Sequence, residues 1–201
     1  MTTARDLLIV AMDKAPSRPV ERGDLSLALA GAELIDLLDA QAVTLDGERI
    51  VPGYRPTIAD RLLDDAASSL VREPPYESID DWLWRRGRDL SAAYVAALES
   101  EGQLTRPARR KLSFRSSQMV LADSPARRQA TERWATEEPV LTTLGTAVGV
   151  RGKEGSDAPS MNDDAVTTVL AGVHNALMEL EAVRQRRAIE EAAFDNVWRG
   201  E

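Results

Sequence analysis

Residues 24–38 read DLSLALAGAELIDLL and predict a long helix on which the fold depends. Aspartate is a common residue at helix N-caps, so Asp24 is expected to start this helix. Gly31 in mid-helix costs about 1 kcal/mol relative to alanine, unless another element packs too closely for a side chain. Helical spacing places four leucines along one side. These are Leu27, Leu34, Leu37 and Leu38.

The segments on either side of this helix are shorter. Residues 7–12 are all apolar and form either a helix or a buried strand, because so short a run does not distinguish the two. Residues 14–23 are polar, contain two prolines and are expected to form a loop. Residues 43–51 alternate apolar and polar side chains around Asp46-Gly47, which is typical of a two-residue hairpin turn.

Capping patterns mark the helices that follow. Thr57 with Asp60, and Ser78 with Asp81, have the spacing of a capping box. Ser124-Pro125 is a favourable pair at a helix start, and the helix it opens is expected to reach about residue 137. The helix after Thr57 is expected to have an apolar side formed by Ile58, Leu62, Ala66 and Leu70. A later helix has Leu90, Tyr94 and Leu98 in register and is expected to end at Gly102.

The remaining segments complete a mainly α prediction. Residues 111–114 and 118–121 have strand-like composition and predict a second hairpin, and residues 139–150 predict a buried helix. Residues 151–162 predict a mobile loop. Asp163 then opens a long helix that we expect to break near residues 184–187. We therefore predict one compact helical domain, 1–201, with two small β-hairpins.

Composition excludes several classes of protein. There is no cysteine and only one histidine, His174, so thiolate metal sites, histidine cages and Cys–His nucleophiles are excluded. The acidic pairs, such as Asp64-Asp65 and Asp80-Asp81, are more simply explained by the helix dipole than by a metal. No cofactor, metal or enzymatic activity is expected. The apolar run near the amino terminus is too short for a signal peptide or a membrane span, so a cytoplasmic protein is expected.

Positive charge is concentrated in residues 82–129. This basic island has ten Arg/Lys and four Asp/Glu, whereas the rest of the chain has 15 and 29. Such segregation favours an anionic partner. Within the island, Arg109, Arg110 and Lys111 precede Leu112 and Phe114, a combination that can contact headgroups and the acyl boundary together. Alternatively, Leu112 and Phe114 belong to the core beneath a solvated basic loop.

Two tryptophans in the island could likewise contact a membrane or pack in the core. Trp82 and Trp84 suit an interfacial anchor, but core packing is the better prediction for both.

Several stretches resemble the Golgi phosphoprotein 3 family, including its actinobacterial members. They occur in family order over about three quarters of the chain, and the most specific are LALAGAELIDLLDAQAVTL at 27–45 and RLLDDAASSLVREPPYESIDDWLW at 61–84. Others are residues 7–13, ESEGQL at 99–104, the hairpin up to residue 121, and 124–141. The resemblance implies a mostly helical fold with a basic membrane-facing side, phosphatidylinositol-4-phosphate binding, and a link to protein cargo.

The residues that the resemblance marks for the headgroup are only partly present. The family has an aromatic residue where this chain has Glu21, and an arginine where it has Ala30. Of two basic positions one helical turn apart, Arg88 matches and Ser91 does not. Arg85 and Arg86 supply similar charge near Arg88. We therefore predict that these three arginines and the hairpin cations bind the headgroup together. They are Arg85, Arg86, Arg88, Arg109, Arg110 and Lys111.

These observations predict a non-enzymatic peripheral membrane adaptor that binds anionic phospholipid through its basic face, with Leu112 and Phe114 inserted. A phosphoinositide-like headgroup, a protein cargo and oligomerisation are compatible with this role. One alternative is a cytosolic protein-interaction module whose basic face binds an acidic partner. Another is a winged-helix-like nucleic-acid binder, since residues 90–101 precede a basic hairpin. The acidic remainder of the chain argues against nucleic acid.

Overall fold

The computed structural model of the protein describes residues 2–14, 20–105, 119–151 and 163–199. In these ranges the chain forms eight α-helices and two antiparallel pairs of strands, which confirms the predicted fold class. In chain order the elements are α1 (Thr3–Asp13), α2 (Arg22–Asp39), β1 (Val43–Asp46), β2 (Arg49–Pro52), α3 (Arg61–Ser68), α4 (Ile79–Arg86), α5 (Leu90–Ser100), β3 (Leu104–Thr105), β4 (Val120–Leu121), α6 (Pro125–Ala135), α7 (Pro139–Ala147) and α8 (Asp164–Arg199).

Helix α2 lies at the centre, in contact with α1, α4, α5 and α8. Its residues are buried on every side from Asp24 to Ile35, so burial extends beyond the side that carries Leu27, Leu34 and Leu37. The predicted start was wrong: Arg22 is already helical, and the N-cap is Glu21, which makes no side-chain capping bond. Asp24 instead lies in the first turn, where its Oδ1 accepts a hydrogen bond from Arg184 Nη1 at 2.6 Å.

Gly31 is the point where α8 crosses α2. A Cβ at Gly31 would lie 2.3 Å from Cγ2 of Val173, far inside the contact distance of two carbon atoms. The exception anticipated from the sequence, that close packing requires glycine here, is therefore confirmed. The cost of glycine to the helix is offset because the backbones of α2 and α8 approach closely enough to bury apolar side chains of both.

Helix α8 is continuous over 36 residues, so the predicted break near residues 184–187 was wrong. Its start was correct, since Asp163 Oδ1 accepts hydrogen bonds from the backbone N–H of Ala165 at 2.8 Å and of Val166 at 3.2 Å. The arginines at 184–187 do not break the helix because Arg184 ion-pairs with Asp24 and the next three residues face solvent. Tertiary contact overrides local composition here.

Helix boundaries elsewhere follow the side chains that cap them. Residues 7–12, for which the sequence allowed either a helix or a strand, belong to helix α1. The Thr57 prediction was wrong, because α3 begins at Arg61 and Asp60 is the cap, accepting from Leu63 N at 3.0 Å. The Ser78 and Ser124 caps are confirmed: each serine hydroxyl accepts from the N–H three residues later, at 3.1 Å.

The strand pairs are small and connect helices. In the first, Asp46 pairs with Arg49, so the two turn residues are Gly47 and Glu48, one position later than predicted. Gly47 has φ +57°, a conformation that glycine adopts without strain. In the second pair, Leu104 lies opposite Leu121 and Thr105 opposite Val120.

Some predicted features fall outside the described ranges. They are the strand-like run 111–114 and residues 152–162 of the predicted loop.

Helix α6 ends at Ala135 and α7 at Ala147, two and three residues earlier than predicted. Within the described ranges, no helix combines the length and apolar character needed to cross a bilayer.

Candidate functional site

Arg85 lies at the end of α4 and is held by one carboxylate. Its Nε and Nη2 donate to the two oxygens of Glu77 at 2.6 and 2.7 Å. The guanidinium also lies over the Trp82 ring, 5.2 Å from its centroid. A bidentate pair of this kind leaves little net charge for an external anion. Arg85 therefore ties α4 to the segment that precedes it.

Arg86, its neighbour, points into the protein. Its Nε and Nη2 donate to the carboxylate of Glu33 at 2.7 and 2.9 Å, and Nη2 also donates to the Leu62 carbonyl at 2.9 Å. The Tyr94 hydroxyl donates to Glu33 Oε1 at 3.0 Å. Glu33 is completely buried on α2. Burial raises the pKa of Glu33, and Arg86 and Tyr94 oppose that rise by stabilising the carboxylate.

These contacts make the Glu33 carboxylate a junction of four helices. Glu33 belongs to α2, Leu62 to α3, Arg86 to α4 and Tyr94 to α5. A buried ion pair whose remaining lone pairs are hydrogen-bonded fixes the relative positions of the elements that carry it. Two of the six predicted headgroup cations, Arg85 and Arg86, are thus placed in internal ion pairs.

Arg88 differs from both. It is exposed in the turn between α4 and α5, and it forms no ion pair with any other described residue. The start of α5, which follows this turn, packs on the start of α2: Ser91 N donates to Ser26 Oγ at 3.0 Å, and Ser91 Oγ donates to the Arg22 carbonyl at 3.3 Å. Arg22 is exposed as well.

Two of the positions named by the resemblance, Glu21 and Ser91, therefore lie near the start of α2. Ser91 binds the Arg22 carbonyl, and Glu21 is the residue before Arg22. Ala30 is two turns further along α2, fully buried, and its carbonyl accepts a hydrogen bond from Trp82 Nε1 at 3.0 Å. Sequence reasoning did not single out Arg22, because nothing local indicates that its carbonyl accepts a hydrogen bond from Ser91, 69 positions later.

Trp82 itself is fully buried, which confirms core packing. Trp84 is partly buried and packs against the core.

The strands β3 and β4 anchor the most basic part of the island. Between Thr105 and Val120, which are paired, residues 106–118 contain five Arg/Lys and no Asp/Glu. Leu104 and Leu121 are buried, whereas Val120 is 52% exposed. Five of the residues predicted to contact lipid lie outside the described ranges. They are Arg109, Arg110, Lys111, Leu112 and Phe114.

The other described arginines of the island are also paired. Arg127 Nε donates to Asp13 at 2.9 Å, and Arg128 Nη1 donates to Asp123 at 2.8 Å. Of the five island arginines that the structure describes, four are in ion pairs and only Arg88 is not. The island is therefore not one uniform cationic face. Arg88 is its one described arginine without an ion pair to another described residue, and the neighbouring Asp89 is an exposed acid.

A separate group of carboxylates lies where α1 meets α2 and α6. Asp36 accepts hydrogen bonds from the N–H groups of Thr3 at 2.9 Å and Ala4 at 3.2 Å, which caps the N-terminus of α1. Asp6 is completely buried and ion-paired with Arg133. Burial raises the pKa of Asp36 to about 6 and raises the pKa of Asp6 in the same direction.

These raised pKa values predict that mild acid stabilises the fold. The folded protein binds a proton at Asp36 near pH 6, whereas the unfolded chain does so near its ordinary pKa of about 3.9. The gain is absent well above pH 6 and grows as the pH falls through 6. Between pH 7 and 5 the free energy of unfolding should rise by about 1 kcal/mol from this group.

Urea unfolding at a series of pH values measures this effect. Asp36→Asn should flatten the rise, because the variant has no proton to gain at that position. A wild-type midpoint that falls steadily from pH 7 to 5 would contradict the assignment.

Comparison with known proteins agrees with the fold. The family model described as Golgi phosphoprotein 3 (GPP34) matches residues 4–197, nearly the whole chain. None of the curated proteins compared with the chain matches it. The family match confirms the resemblance in the sequence and spans all eight helices, including most of α8. The chain belongs to the Golgi phosphoprotein 3 family.

Proposed function

We propose that the protein is a non-enzymatic peripheral adaptor that binds anionic phospholipid on a cytoplasmic membrane surface. Membership of the family supports a Golgi phosphoprotein-like function in general. The observation that carries the proposal is the division of positive charge in the island. Its described arginines are paired with carboxylates, except Arg88, while residues 106–118 hold five cations without a single acid.

The described residues around 106–118 bring the two ends of this segment together, because Thr105 and Val120 are cross-strand partners. In the sequence, its five cations fall within 13 residues. We assign the lipid contacts to Arg88 and to Arg109, Arg110 and Lys111. We assign Arg85 and Arg86 a structural role instead, because their charges are already balanced by Glu77 and Glu33.

The expected affinity combines charge and insertion. A Lys or Arg near an anionic surface contributes about 1 kcal/mol, so these four cations supply about 4 kcal/mol. Insertion of Leu112 and Phe114 would add roughly 2–4 kcal/mol, allowing for incomplete burial. The total, about 6–8 kcal/mol, corresponds to dissociation constants of roughly 1–40 μM, so binding is reversible. Such a protein would associate with a membrane without being fixed to it.

Headgroup selectivity should be weak. Glu21 carries a negative charge and Ser91 a neutral hydroxyl where the resemblance implies an aromatic and a basic residue, and Ala30 is closed to solvent. Vesicles of equal charge but different headgroups should then bind within about threefold of one another, less than ~0.7 kcal/mol.

The proposal is tested by co-sedimentation with vesicles containing phosphatidylserine. Replacing Arg88, Arg109, Arg110 and Lys111 with alanine should weaken binding about 10³-fold, since about 4 kcal/mol is removed. The matched control removes four exposed arginines elsewhere, Arg61, Arg72, Arg151 and Arg187. It changes net charge equally and should leave most of the binding in place.

Three further results bear on the proposal. Undiminished binding of the folded fourfold variant would reject it, and so would equal losses in the variant and its control. A parallel shift assay with duplex DNA tests the main rival, and tighter binding to DNA than to vesicles would favour that rival.

A further inference from the structure

Helix α8 continues beyond the body of the protein. Its core side is buried at Val166, Val169 and Val173, and Arg184 forms an ion pair with Asp24 of α2. From there every residue in 185–192 is exposed. As an isolated helix, residues 185–199 would be only marginally stable in water. Contact with a partner would therefore stabilise this part of α8.

The side of α8 that faces away from the core carries two exposed large apolar residues. Met178 is 60% exposed and Ile189 is 70% exposed, although both are large apolar side chains. At 100° per residue they lie within about 20° of one another and nearly opposite Val173. Ala182 and Gln185, both exposed, lie between them on the same side. These four residues define the outer seam of α8.

The seam has the spacing of a coiled coil. Its positions 178, 182, 185 and 189 are separated by four, three and four residues, which keeps them on one side of two supercoiled helices. A second copy fits this seam in antiparallel orientation. Met178 then packs against the partner's Ile189, and Ala182 against the partner's Gln185. Each contact occurs twice, as twofold symmetry requires.

The charges beside the seam favour the same arrangement. Glu179 and Arg186 flank it on one side, and antiparallel pairing places each next to the opposite charge of the other copy. Neither forms an ion pair with any described residue. A parallel arrangement would instead use Glu181 against Arg186, but Glu181 already binds Arg184 at 3.8 Å and Gln185 at 3.0 Å. We propose that the outer seam of α8 is an antiparallel dimer interface with a second copy of this chain.

Site-directed crosslinking tests the register directly, because the natural chain contains no cysteine. Met178→Cys and Ile189→Cys are made as separate proteins. Each alone should stay uncrosslinked under mild oxidation, since the two copies of either position lie far apart in the antiparallel register. A mixture of the two should form a disulfide-linked dimer. Crosslinking of either single variant with itself would overturn the antiparallel arrangement, and no crosslink in the mixture would overturn the interface.

A charge exchange tests the pairing without cysteines. Sedimentation equilibrium over a range of concentrations should show that Arg186→Glu raises the dimer dissociation constant about tenfold, since two symmetry-related pairs become repulsive. Adding Glu179→Arg to that variant should restore dimerisation. The control, Arg187→Glu, is exposed on a different side of α8 and should change the constant less than about twofold.

The inference does not depend on lipid binding, and the two can fail separately. A chain that remains monomeric at every concentration, or a double variant that is not rescued, would overturn the dimer while leaving vesicle binding untouched.

Discussion

Replacing Arg86 with alanine is expected to lower the free energy of unfolding by about 3–5 kcal/mol, the cost of leaving a buried charge without its partner. Glu33 would keep only the Tyr94 hydroxyl as a hydrogen-bond donor, in a fully buried position. The Leu62 carbonyl would also lose a donor. Urea unfolding at pH 7 measures the loss.

Arg85 offers a matched control one residue away. Its side chain is 42% exposed and its ion pair is nearer to solvent, so Arg85→Ala should cost less than about 1 kcal/mol. The Arg86 variant should also regain stability in mild acid, because the already raised pKa of Glu33 favours its neutral form once the cation is gone. Equal losses in the two variants would show that the buried Arg86–Glu33 pair stabilises the fold no more than the Arg85–Glu77 pair does.

Trp82→Ala is expected to cost a similar amount, about 3–5 kcal/mol, through the cavity it leaves. The indole is fully buried and its Nε1 donates to the Ala30 carbonyl of the central helix α2. The melting temperature should fall by roughly 6–20 °C for a domain of this size. Differential scanning calorimetry measures this change.

Trp84 provides the comparison. It is only partly buried, so Trp84→Ala should cost roughly half as much or less. Because the two residues are two positions apart in one helix, differences in helix propensity cancel. A larger loss for Trp84 than for Trp82 would contradict the assignment of Trp82 to the core.

Local signals in the sequence predicted local structure well. Ser78, Ser124 and Asp163 cap helices because their side chains reach N–H groups within three residues, so the relevant partner is visible in the sequence. The order of the family-like blocks was equally readable, and the family match confirms it.

Errors occurred where the partner is distant. The cap of α2 was placed at Asp24 because the sequence does not show that Arg184 occupies its carboxylate, 160 positions away. Arg86 was interpreted as a free cation because Glu33 is 53 positions earlier and looks like an ordinary helix residue. The membrane contacts of residues 109–114 remain a prediction.

The placement of Gly31 against Val173 has a consequence for how the chain is made. Synthesis proceeds at roughly 5–20 residues per second, so α2 emerges from the ribosome about 7–28 s before the segment that covers it. During that interval the leucine-rich surface of α2 that α8 will bury has no permanent neighbour. Nascent chains of this protein should therefore need holding by a chaperone until α8 is complete, and truncations before residue 163 should aggregate.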